Sequence, residues 1–266
     1  MTPVPKPPTA AAMITALRTS AEPTRIAVLQ GFFKTGPGQY GEGDRFIGVR
    51  LPVLRVLVRQ FQDARLAEVD RLLASPIHEA RLLAVLLLVR QFHTAKDDTS
   101  RRRIHDFYLS HAARINSWDL VDVSAPGVVG RWLFGRNGAP LRKLARSENL
   151  WERRIAIVAT HYFIRQGDLD ETFRIADILL NDPHDLIHKA VGWMLRETGH
   201  RDARRLKAFL ATRHDRMPRT MLRYAIERFP ERERRAYLRT TPKRTATAGR
   251  GGVRGSAPPS GRSPVR

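Results

Sequence analysis

Apolar residues recur at spacings of three and four along most of the chain, which places them on one face of successive helices. The clearest runs lie at residues 51–62, 78–92, 151–164, 171–180, 187–196 and 204–210. Ser75-Pro76 and Asp182-Pro183 each put a capping residue ahead of a proline, a common way for a helix to begin. We find neither a strictly alternating strand pattern nor an Asn-Gly hairpin. The pattern predicts an all-α protein.

Short segments of the form basic-apolar-small repeat along the chain, beginning at Arg81, Arg154, Lys189 and Arg223. Their successive spacings are 73, 35 and 34 residues, and the longest spacing leaves room for another copy around Trp118. A period of about 36 residues with two helices per unit is typical of a HEAT-like solenoid, an α-α superhelix. In such a curved stack the second helix of each pair lines the concave face. We therefore expect the segments around Trp118, Arg154 and Trp193 to face one groove.

Both ends of the chain have a composition that does not predict a packed core. Residues 1–12 are rich in proline, and residues 241–266 contain six Lys or Arg, no acidic residue and no large apolar run. Such segments cannot bury enough apolar surface to offset the entropy lost on ordering. We expect a disordered N-terminal tail at 1–12, a repeat domain at 13–240 and a disordered basic C-terminal tail at 241–266. The basic tail either adds weak, salt-sensitive attachment to DNA or is a solvated segment without function.

The excess of basic residues predicts a nucleic-acid-binding protein and not only a helical scaffold. Lys and Arg total 47 against 26 acidic residues, for a formal net charge of +21, and 40 of the 47 are Arg. An excess of this size favours a polyanionic partner, and a planar guanidinium suits phosphate. A genome rich in G and C also raises the Arg content, so the sign of the charge is the stronger signal. We expect the concave face of the solenoid to bind double-stranded DNA.

Several classes of protein are excluded or disfavoured by what the sequence lacks. With no cysteine, the chain has no disulfide, no thiolate zinc site and no iron–sulfur cluster. The longest apolar run, residues 82–89, is far too short to span a bilayer, and the first residues lack the apolar stretch of a signal peptide. We predict a monomeric protein of the cytoplasm, associated with the nucleoid, with no membrane partner.

Trp118, Asp122 and Trp193 are the candidates for chemistry. Trp118 and Asp122 are four residues apart, so they share one helix face, and Trp193 comes from a later repeat. A carboxylate is costly in a groove that binds an anion, which favours a chemical role. The alternatives are that each tryptophan packs in the core, as we expect for Trp132 and Trp151, and that Asp122 forms a surface salt bridge.

Two further motifs are weaker. Residues 36–41 match G-x-G-x-x-G, but no predicted strand precedes them, so we interpret them as a loop and not as a dinucleotide site. His184 and His188 are four apart on a predicted helix and could ligate a metal together. No third ligand accompanies them, so capping or solvent exposure is favoured. We predict no metal site and no cofactor.

Taken together, several motifs in order resemble the AlkD-like DNA alkylation repair family, which consists of HEAT-repeat DNA glycosylases. The resemblance runs from about Tyr40 to Phe229. It is carried by YGEGDRFIGVRLP at 40–52, SPIHEARLLA at 75–84, NSWDLVD at 116–122, WERRIA at 151–156 and KAVGWMLRE at 189–197. Motifs that match in the right order are far more specific than any one of them alone.

The resemblance implies an active site formed by Trp118, Asp122, Arg154 and Trp193. It also implies that the substrate is a cationic purine alkylated at N3 or N7, removed from double-stranded DNA without obligatory base flipping. Arg154, Arg50 and Lys189 are then the expected DNA-binding residues. Arg50 departs from the family pattern, because the corresponding residue of well-studied members is Gln. It could contact the opposite strand or a phosphate.

The residue types suit this chemistry. An N-alkylated purine already carries positive charge, so it leaves without a general acid, and a second carboxylate is not needed. Asp122 would stabilise the oxocarbenium-like sugar and orient water, and the two indoles would favour the cationic charge. Arg154 would bind the adjacent phosphate and keep Asp122 ionised. Among the seven lysines only Lys189 is near the motifs, so we expect a monofunctional hydrolase without a lyase step.

Two alternatives remain open at this stage. The first is a non-catalytic HEAT-repeat protein that binds damaged or branched DNA, which would bind without releasing a base. The second is a HEAT scaffold for an acidic protein, which would show little salt-dependent affinity for DNA.

Overall fold

The computed structural model describes residues 7–239, and its regular structure consists of helices. In chain order they are α1 (Ala10–Thr19), α2 (Ile26–Phe32), α3 (Leu51–Gln60), α4 (Leu66–Leu73), α5 (His78–Thr94), α6 (Asp98–Ser110), α7 (Trp118–Ala125), α8 (Arg131–Leu133), α9 (Ala139–Leu144), α10 (Leu150–Arg165), α11 (Asp170–Ile178), α12 (Asp185–Arg201), α13 (Ala203–Ala211), α14 (Arg219–Ala225) and α15 (Glu231–Arg239). A π-helical turn, Pro126–Gly130, joins α7 to α8. Within the described residues the chain forms no sheet, only one isolated bridge between Arg45 and Ile77.

The helices pack in two alternating sets. Helices α5, α7, α10, α12 and α14 form one row, which we call the inner row, and each of them packs against the next. Helices α6, α9, α11 and α13, which lie between these in sequence, each pack against members of that row. This alternation is the architecture of a helical repeat solenoid, so the predicted all-α fold is confirmed.

The folded part of the chain begins earlier than the sequence predicts. The first helix begins at Ala10, which is buried, so residues 10–12 belong to the folded part and not to the tail predicted at 1–12. Residues 1–6 and the predicted basic tail at 241–266 lie outside the described residues. No helix within residues 7–239 is both long and apolar enough to cross a membrane.

Two helices of the inner row begin later than the Ser-Pro and Asp-Pro signals predict. Helix α5 begins at His78 and α12 at Asp185. The Ser75 hydroxyl accepts a hydrogen bond from the backbone N–H of Ile77, and a carboxylate oxygen of Asp182 accepts one from His184. These side chains therefore shape a tight turn ahead of the helix.

Glycine allows the inner helices to approach closely beside the predicted site. A Cβ at Gly192 would lie 2.5 Å from the backbone oxygen of Met221 and 2.5 Å from Cβ of Tyr224. Helices α12 and α14 can therefore touch only because position 192 has no side chain. The next residue is Trp193, so this close contact fixes the helix that presents the indole.

Residues 26–49, which we call the strap, connect the first helices to α3 and lie against the inner row. The strap consists of α2 and an irregular loop. Its far end is bound to the start of α5: the Arg45 N–H donates to the oxygen of Pro76, and the His78 N–H donates to the oxygen of Arg45. The buried carboxylate of Glu79 accepts hydrogen bonds from the backbone N–H groups of Ile47, Gly48 and Val49. The strap is therefore held by backbone as well as side-chain contacts.

Candidate active site

A cavity of about 640 Å³ opens between the inner row and the strap. Helices α7, α10, α12 and α14 line one side, and the strap supplies the other. The lining residues are Phe32, Lys34, Tyr40, Trp118, Asp122, Arg154, His184, Asp185, Leu186, Lys189, Trp193, Arg196 and Tyr224. Aromatic rings and basic groups dominate, and Asp122 is one of two carboxylates among them.

Asp122 and Arg154 form a bidentate ion pair at the base of this cavity. The Arg154 Nε donates to Oδ1 of Asp122 at 2.9 Å, and its Nη2 donates to Oδ2 at 2.8 Å. The third nitrogen, Nη1, donates to the backbone oxygen of Leu186 at 2.6 Å. The Arg154 side chain is 5% exposed and that of Asp122 is 18% exposed. The guanidinium is thus fixed on three sides, and the carboxylate keeps one edge on the cavity.

Burial dominates the titration of Asp122. Loss of water raises the pKa of Asp122 above its ordinary value of 3.8, and the charge and hydrogen bonds of Arg154 lower it only in part. The carboxylate of Asp122 therefore takes up a proton at a higher pH than an exposed aspartate does. Its weak solvation also makes it a better partner for positive charge that develops nearby.

Trp118 is held in place by the strap. Its indole N–H donates to the hydroxyl of Tyr40 at 3.1 Å. The Phe33 ring stacks on the indole with centroids 5.2 Å apart and 13° between the planes, and Phe32 meets it edge-on at 5.6 Å. The predicted alternative of a core tryptophan does not describe Trp118, because its half-buried side chain lines the cavity.

Trp193 lines the cavity from α12. Its indole N–H donates to Glu197 at 3.1 Å, one turn further along the helix, and the ring of His161 lies 5.7 Å away. The indole edge is therefore fixed by protein contacts while part of the ring stays open to the cavity. Trp132 and Trp151 are also partly buried against the core, as predicted for packing residues, but unlike Trp193 they do not line the cavity.

The predicted DNA-binding residues are not all brought together. Lys189 lines the cavity, and its ammonium pairs with Asp185 at 2.8 Å. Arg50 does not line it; its guanidinium pairs with Glu22 at 2.8 Å, beside a second, smaller cavity. The structure therefore places Trp118, Asp122, Arg154, Trp193 and Lys189 at one site and leaves Arg50 outside it.

Several lining residues were missed by the sequence reasoning. Phe32, Lys34 and Tyr40 come from the strap, which lies outside the repeat pattern, and Tyr224 lies in the last repeated segment. Tyr40 lies in the family motif at 40–52, which is a signal in the sequence, whereas nothing in the pattern marks Phe32. Lys34 also shows that Lys189 is not the only lysine near the motifs.

A buried cluster of charges, which we call the clamp, fastens the strap beside Trp118. His78 lies between two carboxylates: its Nδ1 is 2.9 Å from Asp44 in the strap, and its Nε2 is 2.8 Å from Asp119 in the first turn of α7. Arg81 pairs with Asp44 as well. Burial alone would lower the pKa of His78, but Asp119 and Asp44 outweigh it and raise the pKa from 6.5 to about 9. His78 is therefore a cation at neutral pH, and it joins the strap to the helix that carries Trp118.

An aromatic stack links the clamp to the cavity. The His78 ring stacks on Phe46 at 4.5 Å, Phe46 stacks on Phe33 at 4.9 Å, and Phe33 stacks on Trp118 at 5.2 Å. Stacked rings at these distances constrain one another's orientation. The indole of Trp118 is thus positioned by a continuous set of rings that begins at the clamp.

Nothing in the described part of the chain groups three or more His, Cys, Asp or Glu side chains in a way that could hold a metal ion. The His184 ring instead caps α12, where its Nδ1 accepts a hydrogen bond from the Leu186 N–H at 3.1 Å. The capping interpretation of this histidine is confirmed.

Comparison with known proteins places this chain in a family. The model of a family described as DNA alkylation repair enzyme matches residues 13–229 of the chain. The chain belongs to that family. Membership in the DNA alkylation repair enzyme family gives the protein an enzymatic role in DNA repair and confirms the family expected from the sequence motifs.

A solved structure supports the fold. The chain is similar to a predicted DNA alkylation repair enzyme from Enterococcus faecalis, with a TM-score of 0.61 and 15% sequence identity, over 80% of this chain and 98% of that one. At this identity the likeness shows the shared helical architecture of the family. No curated protein sequence matches the chain.

Proposed function

We propose that this member of the DNA alkylation repair family is a DNA glycosylase. Its reaction is hydrolysis of the N-glycosidic bond of cationic N3- or N7-alkylated purines in double-stranded DNA. The observation that carries the proposal is the carboxylate of Asp122, largely buried beside Arg154 and open to a cavity lined mainly by aromatic and basic side chains. A buried carboxylate that faces such a cavity suits the stabilisation of positive charge on a sugar.

The proposed reaction needs no acid. An alkylated purine is already cationic and leaves as a neutral base, while the deoxyribose takes on oxocarbenium character. The Asp122 carboxylate stabilises that charge and orients a water molecule for attack on the anomeric carbon. The two indoles, Trp118 and Trp193, offer electron-rich faces on which the sugar is held.

Arg154 is assigned chiefly to holding Asp122. All three of its guanidinium nitrogens already donate to protein oxygens, and its side chain is buried. Its contact with a DNA phosphate stays a prediction. In this proposal the more exposed Lys189 binds phosphate at the cavity edge. The cavity is open on one side, so the damaged nucleotide can reach Asp122 while its base stays in the duplex. The monomeric state and a cytoplasmic, nucleoid-associated location also stay predictions.

The test is release of 7-methylguanine and 3-methyladenine from methylated duplex DNA by the wild type and by Asp122→Asn. We expect the variant to lose about 100-fold or more in single-turnover rate, the size of effect seen when one group that stabilises developing charge is removed. Asp185→Asn is the matched control, because Asp185 also lines the cavity but pairs with Lys189 at its edge; it should keep most of the activity.

Full activity in Asp122→Asn would exclude the role proposed for that carboxylate. Binding of methylated DNA by the wild type with no release of either base would favour a non-catalytic damage-binding protein. Borohydride should trap no covalent protein–DNA adduct; a trapped adduct would contradict the monofunctional mechanism and direct attention to Lys34 and Lys189.

A further inference from the structure

The end of α2 presents an apolar ring to the cavity that the rest of the described chain leaves uncovered. The Phe32 side chain is 61% exposed although it is large and apolar, and it lines the same cavity as Asp122. The exposed ring surface is available to a ligand because it borders the cavity, and this position distinguishes Phe32 from apolar side chains exposed elsewhere on the surface. Phe32 also meets the Trp118 indole edge-on at 5.6 Å, so whatever covers it lies next to the group held by Trp118.

The Phe32 backbone is held in place. The hydroxyl of Tyr40 donates to the backbone oxygen of Phe32 at 3.5 Å while it accepts from the Trp118 indole. The turn between them closes through a hydrogen bond from the Gly41 N–H to the oxygen of Lys34 at 3.1 Å. A Cβ at Gly41 would lie 2.5 Å from the oxygen of Phe33, so only glycine permits this turn. The exposed ring is therefore preorganised by the chain around it.

Lys34 extends the same edge of the cavity with a positive charge. It has a φ of 52°, and it is the only described residue other than glycine with a left-handed backbone. Backbone strain of this kind tends to be kept where a side chain has a task. Within residues 7–239 the ammonium of Lys34 makes no ion pair, whereas that of Lys189 across the cavity is paired with Asp185.

We propose that Phe32 and Lys34 bind the nucleotide adjacent to the damaged one, with the Phe32 ring packed against its base and the Lys34 ammonium on its phosphate. The occupant is DNA because the chain carries a net charge of +21 and the cavity edge combines an apolar ring with an unpaired cation. Apolar side chains that pack against a base step, next to a cation on the backbone, are an established way to grip a duplex. The inference rests on the proposed function in taking DNA as the substrate.

The test measures binding and does not require catalysis. Fluorescence anisotropy follows binding of a labelled duplex that contains one tetrahydrofuran abasic analogue. Phe32→Ala should raise Kd about tenfold, and Phe32→Leu should recover most of the loss. Val28→Ala is the matched control: Val28 is 73% exposed on the same helix but does not line the cavity, so Kd should not change.

Two further readouts separate a direct contact from a general effect. A 2-aminopurine placed beside the analogue should change its fluorescence on binding the wild type and Val28→Ala, but not Phe32→Ala. Lys34→Gln should reduce the slope of log K against log salt by about 0.9, the value for one phosphate contact. Lys143→Gln, on α9 away from the cavity, should leave the slope unchanged.

Equal effects of Phe32→Ala and Val28→Ala, or an unchanged salt slope in Lys34→Gln, would overturn the assignment. Thermal melting of each variant excludes a loss of fold. Failure of base release by the wild type, with the Phe32 and Lys34 effects on binding intact, would overturn the glycosylase proposal and leave this inference standing.

Discussion

Helix α7 carries two aspartates less than one turn apart, and they belong to two different kinds of buried ion pair. Asp122 receives two hydrogen bonds from Arg154, and its carboxylate borders the large cavity. Asp119 binds His78, which binds Asp44 in the strap with its other nitrogen. In the first pair the cation is an arginine, which keeps its charge throughout the accessible pH range; in the second it is a histidine, which loses its charge as the pH rises through its pKa of about 9.

In the proposed mechanism, the difference separates a carboxylate with a chemical role from one that fastens two parts of the chain. A charge partner that does not titrate suits a carboxylate that must stay available to a reaction. A partner that does titrate suits a contact between two parts of the chain, because it leaves a pH at which the contact weakens. The two pairs can therefore be disturbed independently, although they lie on one helix.

The largest effect on stability should come from Arg154→Met. This change leaves the buried carboxylate of Asp122 without its counter-charge, which costs about 3–5 kcal/mol in free energy of unfolding. Loss of the guanidinium also raises the pKa of Asp122 further. As the pH is lowered, any remaining activity should therefore be lost at a higher pH than in the wild type. Urea denaturation and a pH–rate profile measure the two effects.

The double variant Asp122→Asn with Arg154→Met provides the control for that loss. It removes both charges, so it should recover much of the stability, and the double-mutant cycle isolates the pair. A single Arg154→Met variant as stable as the wild type would contradict the view that the two charges depend on each other.

The clamp should give a smaller effect that depends on pH. The pKa of His78 is raised from 6.5 in the unfolded chain to about 9 in the fold, which corresponds to about 3 kcal/mol. That contribution is fully present below pH 6.5 and is lost as the pH rises through about 9. Thermal melting between pH 6 and 10 should show this loss in the wild type and not in His78→Gln.

The chain has no cysteine, so no thiol contributes to the change in stability between pH 6 and 10. His200→Gln is the matched control, since the His200 side chain is half-exposed and lies outside the clamp. Parallel stability curves for the wild type and His78→Gln would show that the imidazolium does not fasten the strap.

The smallest effect should come from Tyr40→Phe. The change removes only the hydroxyl that accepts from Trp118, so it should cost about 1 kcal/mol and lower the rate of base release a few-fold. Tyr162→Phe is the control, because within residues 7–239 the Tyr162 hydroxyl makes no hydrogen bond. A rate unchanged by Tyr40→Phe would mean that the aromatic stack alone positions Trp118.

The repeat pattern explains why part of the site could be predicted. Trp118, Asp122, Arg154 and Trp193 lie on helices of the inner row, and the corresponding helices of stacked repeats line the same side of the stack. The spacing of the repeats therefore predicted that the segments around Trp118, Arg154 and Trp193 face one groove, and the family resemblance added Arg154 to the candidate site.

The strap and the clamp could not be predicted in the same way. Asp44 and Asp119 lie 34 and 41 residues from His78 in sequence, and no periodicity relates them. Arg50 shows the same limit. It lies within a family motif, yet its guanidinium pairs with Glu22 and does not line the cavity.

The contact between Tyr40 and Trp118 spans 78 residues, which has a consequence for how the protein folds. Residues that contact one another in neighbouring repeats are separated by a short stretch of sequence. The strap and α7 are separated by a much longer stretch, so a larger loop of chain closes when they meet. During synthesis the strap leaves the ribosome first, but α7, on which it docks, is made much later. Its apolar rings therefore stay without their partner Trp118 until that helix is made, and the cavity that holds Asp122 is among the last parts of the molecule to be completed.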